Sequence, residues 1–342
     1  MPRAEKFGEG LFTVLLWACF AGAVLLLGVS WVDSSVGIVV VLQSAVPVSA
    51  VLWAGLLVIA AVSRRWRVTV AAGAVLALCA TIAVPTVLSH TVAPGRDDFV
   101  VMSANLEYGG ADAQSPVTAA REHRVDVPVL IEITTAAVQR LRVVGLVTLL
   151  LESVGQPSQG ACGTIIRSRI PMALVQARLD QVSAQSFLEP VVSIHSRTGD
   201  VVLGEVHSRP PNPRGAGAGG PVWPICRHGV NGSLSICHWF WRGDCNASWG
   251  RSGFRGVAET MTGAHRAAGE VWAPTWPQGR RLIRPFSQLD HVLARGVSVV
   301  DAGVVHLPNT DHAVVWARLS PDRTEVRSPG TRVTRDRGVS FA

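Results

Sequence analysis

Three long runs of apolar residues dominate the N-terminal part of the chain, at 11–32, 36–62 and 68–88, and none contains a charged side chain. A helix needs about 20 apolar residues to cross a bilayer core, whereas the apolar part of a cleaved signal peptide spans about 7–15. Buried core helices are the alternative, but three uncharged runs in succession are rare in a soluble core. The pattern therefore predicts a domain of three transmembrane helices over residues 1–94.

The basic residues around these runs predict how the helices cross the membrane. Arg3 and Lys6 precede the first run, the second loop (63–67) reads Ser-Arg-Arg-Trp-Arg, and the first loop (33–35) has no basic residue. Because Lys and Arg concentrate in cytoplasmic loops, we expect a multi-pass protein of the cell membrane with a cytoplasmic N-terminus and an extracytoplasmic C-terminal domain. The uncharged spans disfavour a transporter or channel, since charged residues inside a membrane mark proton relays and substrate paths.

Short apolar runs alternate with stretches of mixed polarity over residues 95–319. The apolar runs predict strands at 99–103, 126–133, 164–166, 191–194, 201–206, 289–293 and 313–319. Helices are predicted at 115–124 and from Thr134 to about residue 144, because Thr is a favourable N-cap. Strands with intervening helices predict an α/β or α+β sandwich. Residues 320–342 are polar and rich in arginine, which predicts a disordered tail.

Composition and charge narrow the class of protein further. The 342 residues are 48% apolar and 16% charged, with a net charge of +7. Disordered chains combine low hydrophobicity with high net charge, so a largely disordered chain is excluded. Between residues 95 and 320 a net charge of only +3 is spread over more than two hundred residues, which predicts no strong nucleic-acid footprint. The partner expected from these properties is the lipid bilayer.

Four cysteines lie in the part predicted to be outside the cell: Cys162, Cys226, Cys237 and Cys245. Some of them could pair in an oxidising compartment, and the sequence leaves the pairing open. Their spacing contains no CxxC and no recognisable zinc pattern, which disfavours a metal–thiolate site.

Isolated polar side chains follow the predicted strands of this part. They are Asn105, Glu132, His207, Asp244, Asn246, Asp290, Asp311 and His312. Each has an ordinary interpretation by itself, since Asp and Asn are common in turns and a lone His is often a satisfied core residue. Their order and number indicate a common site instead.

Six short motifs carry these residues. They read Ala104-Asn105-Leu106-Glu107-Tyr108, Leu130-Ile131-Glu132-Ile133, Val206-His207-Ser208, Gly243-Asp244-Cys245-Asn246-Ala247, Gln288-Leu289-Asp290-His291-Val292-Leu293 and Thr310-Asp311-His312-Ala313-Val314-Val315. In this order, over about residues 98–319, they resemble the endonuclease/exonuclease/phosphatase family. The resemblance implies a four-layered, DNase I-like α/β sandwich that hydrolyses phosphoesters with a divalent metal. Three membrane spans before such a domain also resemble bacterial members of that family.

The resemblance implies a role for each residue of the set. Glu132 and Asn105 would hold the metal, with Asp311 nearby. Mg²⁺ or Mn²⁺ is expected, because such hard ions prefer oxygen ligands. The remaining residues would act on the phosphoester: Asp244 would orient or deprotonate the attacking water, Asn246 would position the phosphate, His312 oriented by Asp290 would stabilise the phosphoryl oxygens, and His207 would contact the phosphate or assist the leaving group. The class of phosphoester is left open, with nuclease and phospholipase-type activities both possible from the sequence.

The sequence departs from the family pattern at three places. Ile131 stands where the family usually has Gln, and Cys245 where it usually has Phe. Bulky residues and an arginine at 237–242 replace an apolar strand, within a stretch (219–242) that a local frameshift or ordinary divergence could explain. If that strand is displaced, Asp244 and Asn246 do not reach the site. The sequence therefore supports two hypotheses: an active phosphodiesterase, or a catalytically impaired relative that binds a ligand or partner at the cell surface.

Overall fold

A computed structural model describes residues 2–34, 36–179, 188–196, 199–208, 239–270 and 272–321. The helices of this part are α1 (Pro2–Gly28), α2 (Gly37–Ser44), α3 (Ser49–Val62), α4 (Trp66–Val87), α5 (Gln114–Glu122), α6 (Thr135–Val143), α7 (Leu146–Leu149), α8 (Ser252–Ala258) and α9 (Ala264–Ala267). The strands are β1 (Phe99–Asn105), β2 (Val127–Ile131), β3 (Glu152–Gln156), β4 (Thr164–Ser168), β5 (Met172–Leu179), β6 (Leu188–Ser196), β7 (Gly199–Glu205), β8 (Trp239–Asp244), β9 (Thr262–Gly263), β10 (Asp290–Arg295), β11 (Val297–Val305) and β12 (Val314–Pro321).

The strands form two six-stranded sheets. The first has the order β11-β12-β1-β2-β4-β3 and the second the order β5-β6-β7-β8-β10-β9. Each sheet is mixed, because β1 pairs parallel with β2 and β7 pairs parallel with β8, while their other neighbours run antiparallel. In each sheet two parallel strands therefore end at the same edge, which collects the polar residues that follow them.

Apolar side chains divide the sandwich into four layers. Alternate residues of both sheets, such as Val101 and Ile131 from the first and Val192 and Leu203 from the second, form the core between the sheets. The opposite face of the first sheet packs on α5, α6 and α7. Phe254 of α8 lies in a cluster against the second sheet. The predicted four-layered sandwich is confirmed over the described residues.

The N-terminal helices correct the prediction of three uninterrupted membrane spans. One helix, Phe7–Trp31, is long and apolar enough to cross a membrane, with a mean hydropathy of 2.4. The second run is broken into α2 and α3, bent by 65° around the 3₁₀ turn Val46–Val48. Pro47 lies in that turn, and proline lacks the N–H that a continuous helix needs. The third run forms α4, Trp66–Val87. Among the residues that the structure describes, the membrane-span criteria of length and hydropathy support one N-terminal apolar helix, which could be a membrane anchor or a signal sequence.

The N-terminal helices pack directly on the sandwich. The Gln43 side chain holds the turn after α1 through hydrogen bonds to the carbonyls of Val29 and Val32, at 3.0 and 2.7 Å. The Gln43 carbonyl in turn accepts from the Ser248 hydroxyl at 3.2 Å, and Arg255 of α8 donates to the Ser30 carbonyl at 2.6 Å. These contacts join the first interhelical turn to the segment that follows β8.

Most of the predicted strands are present, and several elements were not expected. The elements without a counterpart in the prediction are strands β3, β5, β9 and β11 and helices α7, α8 and α9. Cys226 and Cys237, most of the unusual stretch 219–242 and residues 322–342 of the predicted tail lie outside the described residues. The disulfide pairing and the disordered tail therefore stay predictions.

Candidate active site

The topology brings the predicted residues to one edge of the sandwich. Asn105 ends β1, and Glu132 follows β2, its parallel neighbour in the first sheet. Asp244 ends β8 and pairs in register with Asp290 at the start of β10 in the second sheet. Strand β12 begins at Val314, two residues after His312. Both sheets thus present polar side chains at the same end of the central core.

Asn105 joins the two sheets at this edge. Its side-chain amide donates to Oε1 of Glu132 at 3.0 Å and to Oδ2 of Asp244 at 3.2 Å. The Thr310 hydroxyl holds the Asn105 carbonyl at 2.9 Å, and the amide oxygen of the Asn105 side chain accepts from the Glu107 backbone N–H at 2.9 Å. Asn105 is only 2% exposed, so its hydrogen bonds fix two carboxylates relative to each other.

Glu132 faces several hydrogen-bond donors. Besides Asn105, it accepts from the Tyr108 backbone N–H at 3.0 Å, and Nε2 of His207 lies 3.6 Å from its Oε1. Burial by itself raises the pKa of Glu132, but hydrogen bonds from these three neighbours outweigh burial and hold it below its usual range. The backbone of Glu132 has a φ of +54°, a left-handed conformation that is strained for a non-glycine residue and recurs at functional sites.

His312 forms a buried chain with two carboxylates on the other side of Asn105. Its Nδ1 donates to Oδ2 of Asp290 at 2.8 Å, and its Nε2 lies 3.6 Å from Oδ2 of Asp244. Burial disfavours the charged imidazole, yet the two carboxylates outweigh burial and raise the pKa of His312 to about 10. Asp244 is itself buried, and this desolvation raises its pKa to about 6 despite the nearby histidine. The arrangement pairs a cationic imidazole with a carboxylate poised to take a proton near neutral pH.

Asn246 ties the loop after β8 to the loop after β7. Its backbone N–H donates to Oδ1 of Asp244 at 2.8 Å, and its side-chain amide donates to the Ser208 carbonyl at 2.6 Å. His207, the residue before Ser208, is thereby kept beside Glu132.

Asp311 lies at the exposed side of the site. Its backbone carbonyl accepts from the Gln278 N–H at 2.8 Å. Burial and then the charge of Asp311 raise the pKa of Glu107, and Asp311 also adds to an upward shift of the Tyr108 pKa that Glu132 dominates. The eight predicted residues therefore meet around one site, with Asp311 at its border.

Strand β8 forms although the sequence at 237–242 differs from the family pattern. Despite its bulky sequence, Trp239–Asp244 pairs parallel with β7 and antiparallel with β10, so the strand is in place and Asp244 reaches the site. Trp and Phe are favourable strand residues. Gly243 allows the close approach of β7, because its φ is +140° and a Cβ there would lie 2.1 Å from the Val206 carbonyl oxygen. The support for Asp244 is present in the described residues.

Two residues that support the site were not anticipated from the sequence. The Thr275 hydroxyl accepts from the backbone N–H groups of Leu289 and Asp290 at 3.0 and 3.2 Å. The Gln278 side chain donates to the carbonyls of Leu307, Thr310 and His312 at 2.5, 3.2 and 3.3 Å. No motif or period marks either residue, because each acts on backbone groups of distant segments.

Two groups of side chains could hold a metal. The ligand atoms of Asp244, Asp290 and His312 lie within 4.8 Å of one another. In this group Nδ1 of His312 is hydrogen-bonded to Asp290, which leaves Nε2 as the ring nitrogen that could act as a ligand. The second group is Glu132 with the neighbouring charges of Asp311 and Glu107, which together raise the pKa of Tyr108. Its negative charge suits a hard cation such as Mg²⁺ or Mn²⁺, while the amide nitrogen of Asn105 faces Glu132 and its amide oxygen accepts from the Glu107 N–H.

Comparisons with solved structures identify the fold. The chain is similar to an endonuclease/exonuclease/phosphatase protein from Bacteroides vulgatus, with a TM-score of 0.51, 12% identity and coverage of 66% of this chain and 99% of that one. A Bacteroides thetaiotaomicron protein of the same family gives 0.50 at 14% identity, covering 66% and 98%. D. rerio TDP2, solved with a single-strand DNA product, gives 0.50 at 12% identity, covering 65% and 99%. No family model matches the sequence, and no curated protein matches it. The sandwich thus has the DNase I-like fold of endonuclease/exonuclease/phosphatase proteins.

Proposed function

We propose that the protein is a membrane-anchored, divalent-metal-dependent phosphoesterase that hydrolyses phosphodiesters. The observation that carries the proposal is the continuous buried network from Glu132 through Asn105 and Asp244 to His312 and Asp290. In this network a proposed site for a hard cation, at Glu132, lies beside Asp244, whose pKa is raised, and His312, which stays charged. Phosphoryl transfer depends mainly on such positioning and charge stabilisation.

The residues divide the reaction between them. Asp244 accepts a proton from the attacking water as the water oxygen bonds to phosphorus, and its pKa of about 6 suits a base at neutral pH. The His312 imidazolium, held by Asp290, stabilises the charge that develops on the phosphoryl oxygens. Asn246 and His207 position the phosphate. As its bond to phosphorus breaks, the departing oxygen takes a proton from solvent water, and Asp244 returns to solvent the proton that it accepted. Glu132, Asn105 and Asp311 would hold Mg²⁺ or Mn²⁺, which supplies Lewis acidity when bound.

Membrane attachment is the second part of the proposal. Arg3 and Lys6 at the start of α1 and the arginines at 64–67 would stay in the cytoplasm, so three crossings would place the sandwich outside. The second crossing would be the broken pair α2–α3, since membrane helices tolerate proline when neighbouring groups satisfy the freed carbonyls. Protease treatment of intact spheroplasts tests this topology: we expect digestion of the sandwich while an N-terminal tag survives, and the reverse pattern contradicts the topology.

Activity is tested on the full chain in detergent with bis(p-nitrophenyl) phosphate as substrate. We expect turnover with Mg²⁺ or Mn²⁺, its loss with a chelator, and its loss in His312→Ala. His195→Ala is the matched control, because His195 is exposed on β6 away from the site. A chain that binds Mn²⁺ without turnover supports the catalytically impaired surface protein instead. Turnover that persists in both Glu132→Gln and His312→Ala contradicts the proposed function.

A further inference from the structure

A hairpin between Thr275 and Gln288 stands on the rim of the candidate site. Trp276 and Ser287 form its closing bridge, with Trp276 N–H donating to the Ser287 carbonyl at 2.9 Å and Ser287 N–H donating back at 3.0 Å. The Trp276 and Phe286 rings pack edge to face with centroids 5.9 Å apart. We call residues 276–287 the rim hairpin. Its base is well ordered by these contacts.

The base of the rim hairpin is hydrogen-bonded to the loop that contains Asp311 and His312, before β12. Gln278 N–H donates to the Asp311 carbonyl, and the Gln278 side chain donates to the carbonyls around His312. Arg280, two residues further on, lies close enough to Glu107 to oppose the rise of that carboxyl's pKa. The tip of the hairpin is therefore a neighbour of the residues proposed to hold the metal.

The tip combines apolar and cationic side chains. Leu282 is 93% exposed and Ile283 is 53% exposed, although both are large aliphatic residues. Arg280, Arg281 and Arg284 are also exposed, and the hairpin contains no acidic residue. Within the described part of the chain, no carboxylate forms a salt bridge with these three guanidinium groups. Apolar side chains beside unpaired cations match the chemistry of segments that bind anionic bilayer surfaces.

A bilayer explains this tip better than a nucleic acid does. Single-stranded nucleic acids are held by aromatic side chains on which bases stack, and the aliphatic Leu282 and Ile283 cannot provide such stacking. The site also adjoins the N-terminal helices, because Ser248, two residues after Asn246, donates to the Gln43 carbonyl of α2. Those helices are the part of the chain proposed to lie in the membrane.

We propose that the rim hairpin inserts Leu282 and Ile283 into the bilayer surface while Arg280, Arg281 and Arg284 bind the phosphates of anionic lipids. A phosphodiester in a lipid headgroup is then the class of substrate that reaches the site. The substrate half of this inference rests on the proposed phosphoesterase activity, whereas the membrane contact rests on the proposed membrane attachment and not on the activity.

Hydrogen exchange on the full chain tests the contact without relying on activity. The chain is reconstituted in nanodiscs of phosphatidylcholine alone or mixed with phosphatidylglycerol, and compared with detergent. We expect amides of 279–284 to exchange about tenfold more slowly in the anionic discs. Leu282→Asp and the triple variant Arg280→Gln/Arg281→Gln/Arg284→Gln should lose this protection. Leu151→Asp is the matched control, because Leu151 is 75% exposed and precedes β3 rather than the hairpin.

The outcomes separate this inference from the proposed function. Equal exchange in all discs and detergent overturns the membrane contact, even if bis(p-nitrophenyl) phosphate is hydrolysed. Protection by a single-stranded DNA oligonucleotide but not by anionic discs also overturns it, in favour of a nucleic-acid partner. Protection in anionic discs together with release of headgroup from phosphatidylglycerol supports both halves. Protection without any hydrolysis supports the contact and overturns the assignment of a lipid substrate.

Discussion

The two sides of the candidate site use the same kinds of side chain in different electrostatic surroundings. On one side, burial and the charges of Asp311 and Glu132 raise the pKa of Glu107, with Arg280 as a partial counter-charge, while hydrogen bonds keep the pKa of Glu132 low. On the other side, Asp244 and Asp290 enclose His312, whose charge they stabilise. A carboxylate surrounded by carboxylates favours binding of a divalent cation, whereas a carboxylate beside a charged imidazole favours proton transfer and anion binding. The difference lies in the neighbours rather than in the residue types.

The largest expected effect is on the side proposed to hold the metal. Glu132→Gln removes the central charge among the oxygen donors, so we expect Mn²⁺ binding, followed by electron paramagnetic resonance, to weaken strongly. Activity should fall by about 10³-fold, because Lewis-acid stabilisation is worth several kcal/mol. Glu152→Gln, on exposed β3, is the control and should change neither quantity. Unchanged Mn²⁺ affinity in Glu132→Gln would place the cation elsewhere.

His312→Ala tests the side of the site that contains Asp244, Asp290 and His312. We expect kcat to fall by about 10²–10³-fold, as for the loss of one group that stabilises a developing anion. The Mn²⁺ affinity should stay close to that of the parent chain. A large loss of Mn²⁺ affinity in His312→Ala would instead show that Asp244, Asp290 and His312 hold the ion.

The pH dependence of kcat/KM sharpens the assignment of the proton-transfer side. Asp244 must be deprotonated to act as a base, so activity should rise with pH through about 6. His312 must stay protonated, so activity should fall as pH rises through about 10. His312→Gln should remove the alkaline limb from the residual activity and leave the acidic limb. An alkaline limb that persists in this variant would contradict the role of the imidazolium.

The smallest expected effect concerns Gln278, which supports His312 from outside the reacting groups. Gln278→Ala removes donors from three buried carbonyls, and each unsatisfied buried group costs about 1–3 kcal/mol. We expect kcat to fall by about tenfold with little change in KM, because catalytic groups displaced without direct substrate contact lose rate rather than binding. Gln114→Ala, on α5, is the matched control. A change in KM alone would indicate direct substrate contact.

The residues of the site could be predicted because they sit beside regular strands in a recognisable order. Asn105 and Asp290 belong to strand ends, so their convergence follows from the pairing of the sheets. Thr275 and Gln278 could not be found in this way, since they bind backbone groups that the sequence does not place. The break at Pro47 shows why counting apolar residues does not predict a continuous helix. Proline leaves the hydropathy of a run high, but it ends the helix.

Gln43 has a consequence for how the sandwich can be studied. Its carbonyl and the turn it holds meet Ser248 and Arg255, which follow the catalytic loop after β8. At Gly250 the backbone approaches so closely that a Cβ would lie 2.1 Å from the Gln43 oxygen. A fragment that starts after α4 loses the contacts of Gln43 with Ser248 and Gly250. The turn that follows Asn246 is then exposed to water. Measurements on the excised sandwich would therefore report on a loosened loop after β8, and the whole chain is the unit to purify.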